Sequence, residues 1–73
     1  MRDVPVAGGA IRLGQLLKVA GLVGSGGEAK ALLASGGVSV NGEAESRRGR
    51  QLQSGDVVGV GEEQLRVSAS SRP

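Results

Sequence analysis

The apolar residues follow a helical spacing in the first half of the chain. From Leu13 onward they recur at i, i+3, i+4 and i+7, which places them on one face of a helix. Gly21 predicts the end of that helix, because glycine readily adopts the left-handed conformation that follows a last helical turn, and Leu22 can then fold back onto it. The apolar face consists of Leu13, Leu16, Leu17 and Ala20.

A second short helix is predicted to begin just after Ser25. Ser25 stands three residues before Glu28, which is the spacing of a capping box, where a hydroxyl and a carboxylate accept hydrogen bonds from backbone N–H groups at a helix start. The pair Gly36-Gly37 predicts the end of this helix. Its apolar positions, which again keep helical spacing, are Ala29, Leu32 and Leu33.

Beyond the second helix the apolar period falls to two residues, which indicates β-strands. The alternating stretch 38–40 ends at Asn41-Gly42, a pair that favours a type I′ hairpin turn and predicts a return strand over 43–46. Further alternation predicts strands near 57–60 and 65–67. This order indicates an α+β fold, with two short helices packed on a small antiparallel β-sheet.

The folded domain is predicted to span residues 11–67. Residues 1–10 read as a lead-in, in which Val4 and Val6 fit a short strand that Pro5 would restrict to a sheet edge. Residues 68–73 lack apolar anchors and are predicted to be disordered. A chain of 73 residues is too short to build several cores, so we expect one domain.

Composition excludes much chemistry. The chain has no cysteine, no histidine and no aromatic residue, so it lacks disulfides and the commonest zinc ligands and general base. Glu43 and Glu45 would share one strand face, as a carboxylate dyad requires, but a solvated face is the favoured interpretation. We therefore expect a non-enzymatic protein without cofactor or metal. No apolar stretch resembles a signal peptide or a membrane span, so we expect a cytoplasmic protein.

The positive charges suggest a partner. The net charge is +2 with a pI of about 9.9, and three arginines stand within four residues at 47, 48 and 50. Lys18 and Lys30 point away from the apolar faces of their helices and could share one surface with these arginines, a combination suited to phosphate oxygens. The N–H groups of Gly26 and Gly27 at the second helix could also hold a phosphate. Without aromatic rings for base stacking, structured RNA is favoured over single strands.

The glycine, valine and asparagine motifs resemble a known family. The run from Arg12-Leu13 through Val40-Asn41-Gly42 to Gly55-Asp56 resembles the RNA-binding domain named after ribosomal protein S4, also called the alpha-L motif, over residues 11–60. The likeness is greatest to small stand-alone bacterial proteins of the YbcJ type.

This resemblance implies that a ribosomal or other structured RNA binds to the second helix and to the Arg-rich loop that follows the hairpin. Many members carry an arginine directly after the capping serine, where this chain has Gly26. The candidate RNA-binding residues are Lys30, Arg47, Arg48, Arg50, Lys18, Arg12, Gly26, Gly27 and Asn41.

Two other functions stay open at this stage. The two helices and their glycine-containing bend resemble a helix-turn-helix DNA binder, although the second helix offers only Lys30 and Glu28 as long polar side chains. A protein-interaction module could instead present the basic loop to an acidic partner. For all three functions we expect a monomer without a small-molecule substrate or a membrane partner.

Overall fold

The computed structural model describes residues 1–70, which form two helices and seven strands. The predicted α+β class is confirmed. In chain order the elements are β1 (Arg2–Ala7), β2 (Ala10–Arg12), α1 (Leu13–Val19), α2 (Gly26–Ala34), β3 (Val38–Val40), β4 (Glu43–Ala44), β5 (Gln51–Gln53), β6 (Val57–Val60) and β7 (Glu63–Ser70).

The sheet is larger than the sequence pattern predicted. Five strands are ordered β1-β7-β6-β3-β4, and β2 pairs with β5 in a separate two-stranded sheet. Neighbouring strands are antiparallel except β1 and β7, which are parallel. Because β1 lies at the edge, Pro5 interrupts no ladder on its outer side.

Both chain ends of the described region are more ordered than predicted. Val4 is only 4% exposed, so the lead-in contributes to the core. The prediction of disorder is wrong for residues 68–70, which pair with residues 5–7 of β1. The partner strand supplies hydrogen bonds that the apolar pattern does not reveal. Residues 71–73 lie outside the described residues.

The helix ends follow their predicted chemistry. Gly21 has a φ of 78°, its N–H donates to the Lys18 carbonyl at 3.0 Å, and the Leu22 N–H donates to the Leu17 carbonyl at 3.0 Å. These two bonds form a Schellman motif. At α2 the Glu28 N–H donates to Ser25 Oγ at 3.3 Å, as the capping box predicts.

Both helices and the sheets share one apolar core. Buried leucines of α1 and α2 pack with valines of β3 and β6 and with Leu65 and Val67 of β7. The Asn41-Gly42 turn has φ values of 52° and 87°, which fits the predicted type I′ hairpin. The return strand β4 ends at Ala44, two residues earlier than predicted. No helix within residues 1–70 has the length and apolar character that a membrane crossing requires.

Candidate nucleic-acid interface

An open groove lies between α1, the start of α2 and the loop that joins β4 to β5. We call it the basic groove, because its lining includes Arg12, Lys18 and Arg48. Gly14, Gly26 and Gly49 also line it. Gly14 and Lys18 are four residues apart and therefore lie on the same face of α1. The fold thus brings together four of the predicted candidates, which are Arg12, Lys18, Arg48 and Gly26.

Arg48 crosses the groove from one helix to the other. Its carbonyl accepts a hydrogen bond from the Gly14 N–H at 3.0 Å, and its side-chain stem lies so close to Gly14 that a Cβ there would overlap Cγ of Arg48. At the other end, Arg48 Nη1 lies 3.3 Å from the place where a Cβ on Gly26 would stand. The guanidinium thus lies beside Gly26, the first residue of α2.

The start of α2 leaves backbone donors beside this guanidinium. Glu28 Oε2 accepts from the Gly24 N–H at 2.8 Å, so the capping carboxylate binds one residue before the serine that the capping box predicts. Within residues 1–70 the N–H groups of Gly26 and Gly27 have no acceptor. Gly26 lines the groove, whereas Gly27 does not.

The three arginines that form one cluster in the sequence have different surroundings. We call residues 45–50 the arginine turn. Glu45 accepts from Arg47 Nη2 at 3.2 Å and from Arg50 Nη1 at 2.9 Å. These guanidinium groups, Arg47 first, lower the pKa of Glu45 from 4.5 to about 2. Arg48 has no carboxylate partner within residues 1–70, and the same is true of Arg12 and Lys18.

Two other candidates lie outside the groove lining. Lys30 is exposed on α2, four residues after Gly26 and nearly in line with it along the helix. Asn41 bonds within the protein, because its Nδ2 donates to Asp56 Oδ1 at 3.1 Å and its Oδ1 accepts from the Val57 N–H at 2.9 Å. The amide of Asn41 thereby joins the hairpin turn to the turn before β6.

Some groove residues were not among the candidates. The sequence could have indicated Gly14 as a groove residue, because it lies one helical turn before Lys18 and its lack of a side chain leaves space on that face of α1. Gln15 and Ser25 also line the groove, and they carry polar side chains on its two walls. The sequence indicated Glu45 only as half of a carboxylate dyad on a solvated strand face, whereas in the structure it lies beyond β4, is nearly buried and binds Arg47 and Arg50.

Comparison with known proteins identifies the family. The chain matches the family model of the S4 domain over residues 4–68. It belongs to the S4 domain family. The chain is 52% identical over 50 residues to a probable ribosome maturation protein, RlbA, of Bacillus subtilis. The aligned residues cover 68% of this chain and 70% of that protein. The chain is also 42% identical over 56 residues, 77% of its length, to a tyrosine–tRNA ligase of Burkholderia lata, but spans only 14% of that ligase.

Proposed function

We propose that this S4 domain is a non-enzymatic module that binds the phosphates of a structured RNA, ribosomal RNA among the candidates, through the basic groove. The family membership supports an RNA-related role. So do the names of the two relatives, one a probable ribosome maturation protein and the other a ligase of tRNA. The observation that carries the proposal is the convergence of Arg12, Lys18 and Arg48 on one groove whose lining, within residues 1–70, includes no carboxylate.

The cations that line the basic groove are suited to bind an anion from outside the protein, such as a phosphate. A guanidinium presents planar donors that match phosphate oxygens, and an ammonium adds a flexible point charge. Each phosphate that is neutralised releases counterions, and this release supplies most sequence-independent affinity. Lys30 is exposed on α2, and Arg47 and Arg50 belong to the same turn as Arg48. We propose that they extend the basic surface beyond the groove.

The chemistry of the groove favours a folded RNA over a single strand. The chain has no aromatic side chain on which unpaired bases could stack, and such stacking accounts for much of the affinity of single-strand binders. A surface of cations and backbone N–H groups instead recognises a fixed arrangement of phosphates, as in an A-form stem.

Arg48→Gln tests the groove, with Arg66→Gln as its matched control. Both variants lose one positive charge, but Arg66 lies on β7 and pairs with Asp3 at 2.8 Å on the surface. With a synthetic RNA hairpin, Arg48→Gln should weaken binding about fivefold at about 0.15 M salt and lower the slope of log affinity against log salt by about 0.9. Arg66→Gln should stay close to the wild type.

Competition identifies the kind of nucleic acid. Unlabelled RNA hairpin should displace the labelled hairpin at lower concentration than duplex DNA or an unpaired RNA of equal length. Equal effects of the two arginine variants would contradict the groove as the binding site. Better competition by duplex DNA would instead favour the helix-turn-helix interpretation.

A further inference from the structure

Glu45 is a nearly buried carboxylate at the base of the arginine turn, 9% exposed, and it does not line the groove. It accepts five hydrogen bonds. Two come from the backbone N–H groups of Ser46 and Arg47 at 3.0 and 3.1 Å. The others come from the guanidinium groups of Arg47 and Arg50 at 2.9 to 3.2 Å. One side chain therefore fixes both the backbone and two side chains of this turn.

The far side of the arginine turn is attached to α1. The Arg50 carbonyl accepts from the Leu13 N–H at 2.8 Å and the Arg48 carbonyl accepts from the Gly14 N–H at 3.0 Å. Arg12, the residue before α1, provides no side-chain cap, so these two carbonyls satisfy the first N–H groups of the helix. Arg48 is itself one of these two attachments, and it lies between Arg47 and Arg50, the two arginines that Glu45 binds.

We propose that Glu45 is a positioning residue for RNA binding, which holds the arginine turn in the shape that directs Arg48 into the basic groove. This inference rests on the proposed function of the groove. Glu45 neutralises part of the surrounding positive charge, so its presence would weaken RNA binding if charge alone mattered. Its geometry predicts the opposite, because a loosened turn no longer presents Arg48 across Gly14 and Gly26.

Glu45→Gln separates the two effects, with Glu43→Gln as the matched control. Both variants raise the net charge of +2 by one, but Glu43 is an exposed residue of β4 that takes part in no salt bridge within residues 1–70. With the synthetic RNA hairpin, Glu45→Gln should bind threefold to fivefold more weakly than the wild type, which approaches the loss of one phosphate contact. Glu43→Gln should bind as tightly as the wild type or slightly more tightly. Affinity of Glu45→Gln at or above that of Glu43→Gln would overturn the proposal.

A double-mutant cycle tests whether the effect passes through Arg48. In an Arg48→Gln background, Glu45→Gln should no longer weaken binding, because no arginine remains to be positioned. An equal loss in both backgrounds would overturn the proposal. Glu45→Asp, which keeps the charge with a shorter reach, should restore part of the affinity and serves as the second variant if Glu45→Gln fails to fold.

A measurement without RNA distinguishes failure of this inference from failure of the proposed function. Amide hydrogen exchange at Leu13 and Gly14 reports the two bonds to the arginine turn, and Glu45→Gln should accelerate both relative to Val58 in the core. If Arg48→Gln leaves RNA binding unchanged, the groove is not the binding site, and the role of Glu45 in RNA binding falls with it. If Arg48→Gln weakens binding but the two amides stay protected in Glu45→Gln, only the positioning role of Glu45 is wrong.

Discussion

Two turns of this S4 domain are each organised by one carboxylate, with different results. In the arginine turn, Glu45 binds two arginines, of which Arg47 keeps 74% of its side chain exposed. In the turn before β6, Asp56 Oδ2 accepts from the Gln53 N–H at 2.8 Å and Oδ1 from Asn41 Nδ2 at 3.1 Å. The first carboxylate leaves cations on the surface, whereas the second closes its turn with neutral donors. A carboxylate in a turn can thus present charge to a partner or simply hold two turns together.

Asp56→Ala should give the largest change, and it should affect stability alone. The substitution removes the acceptor of the Gln53 N–H and of the Asn41 amide, which should lower the free energy of unfolding by about 1–3 kcal/mol. Affinity for the RNA hairpin should not change, because Asp56 does not line the groove. Urea denaturation measures the first quantity and a binding titration the second.

Asp3→Ala is the control for this variant. Asp3 pairs with Arg66 on the surface with more than half of each side chain exposed, and such pairs contribute at most about 1 kcal/mol. If Asp56→Ala weakens RNA binding as well, the two turns do not differ in the way proposed.

Gly14→Ala should give a smaller change, and this change should be in RNA affinity, because Gly14 lies beside Arg48 in the basic groove. A Cβ at this position would overlap the Arg48 stem, so the guanidinium must leave its place between the helices. RNA affinity should fall severalfold, up to the about fivefold loss of one contact. The free energy of unfolding should change by no more than about 1 kcal/mol, the difference between alanine and glycine in a helix.

Gly27→Ala provides the comparison, because it is the same substitution in α2 and its Cβ would lie 3.8 Å from Ser25 Oγ in ordinary contact. It should leave RNA affinity unchanged. Equal losses in the two alanine variants would show that the position of Arg48 does not matter.

Lowering the pH should decrease the free energy of unfolding, because Glu45 and Asp56 become protonated. We expect this to be the smallest of the three changes. The pKa of Glu45 is lower in the folded protein, about 2, than its ordinary 4.5, so its stabilisation is complete above about pH 4.5. It is lost progressively as the pH falls towards 2. The pKa of Asp56 is also lowered, first by the Gln53 N–H and then by Asn41, so its contribution fades in the same direction below its ordinary 3.8.

Urea denaturation at a series of pH values checks this dependence. Glu45→Gln should lose stability less steeply than the wild type between pH 4.5 and 2, the range that its two pKa values define. A steepness equal to that of the wild type would mean that the arginines do not hold this carboxylate ionised in the folded state.

The local features of the fold could be predicted from the sequence because their causes lie within a few residues. Gly21 after an apolar face, Ser25 before Glu28 and Asn41-Gly42 each act through neighbouring backbone groups. The pairing of β1 with β7 has no such local cause, since it joins Arg2 to Leu65. The short strands β2 and β5 each place a single residue, Ile11 or Leu52, against the core, so neither shows the repeat that two valines give to β3.

The candidate site was predictable only in part for the same reason. Three arginines within four residues look equivalent in the sequence, which does not show that Glu45 binds Arg47 and Arg50 but not Arg48. The distinction comes from Glu45 on one side and from Gly14 on a helix more than thirty positions earlier. The periodicity of α1 predicted that Lys18 faces outward, but not which surface it shares.

The parallel pairing of the first and last described strands has a consequence for biosynthesis. A ribosome releases the chain from its N-terminus, so residues 2–7 emerge long before the strand that receives them, residues 63–70. Until that partner is translated, Val4 has no sheet to cover it, and closing so long a loop is entropically costly. Docking of β1 can therefore take place only once β7 has left the exit tunnel.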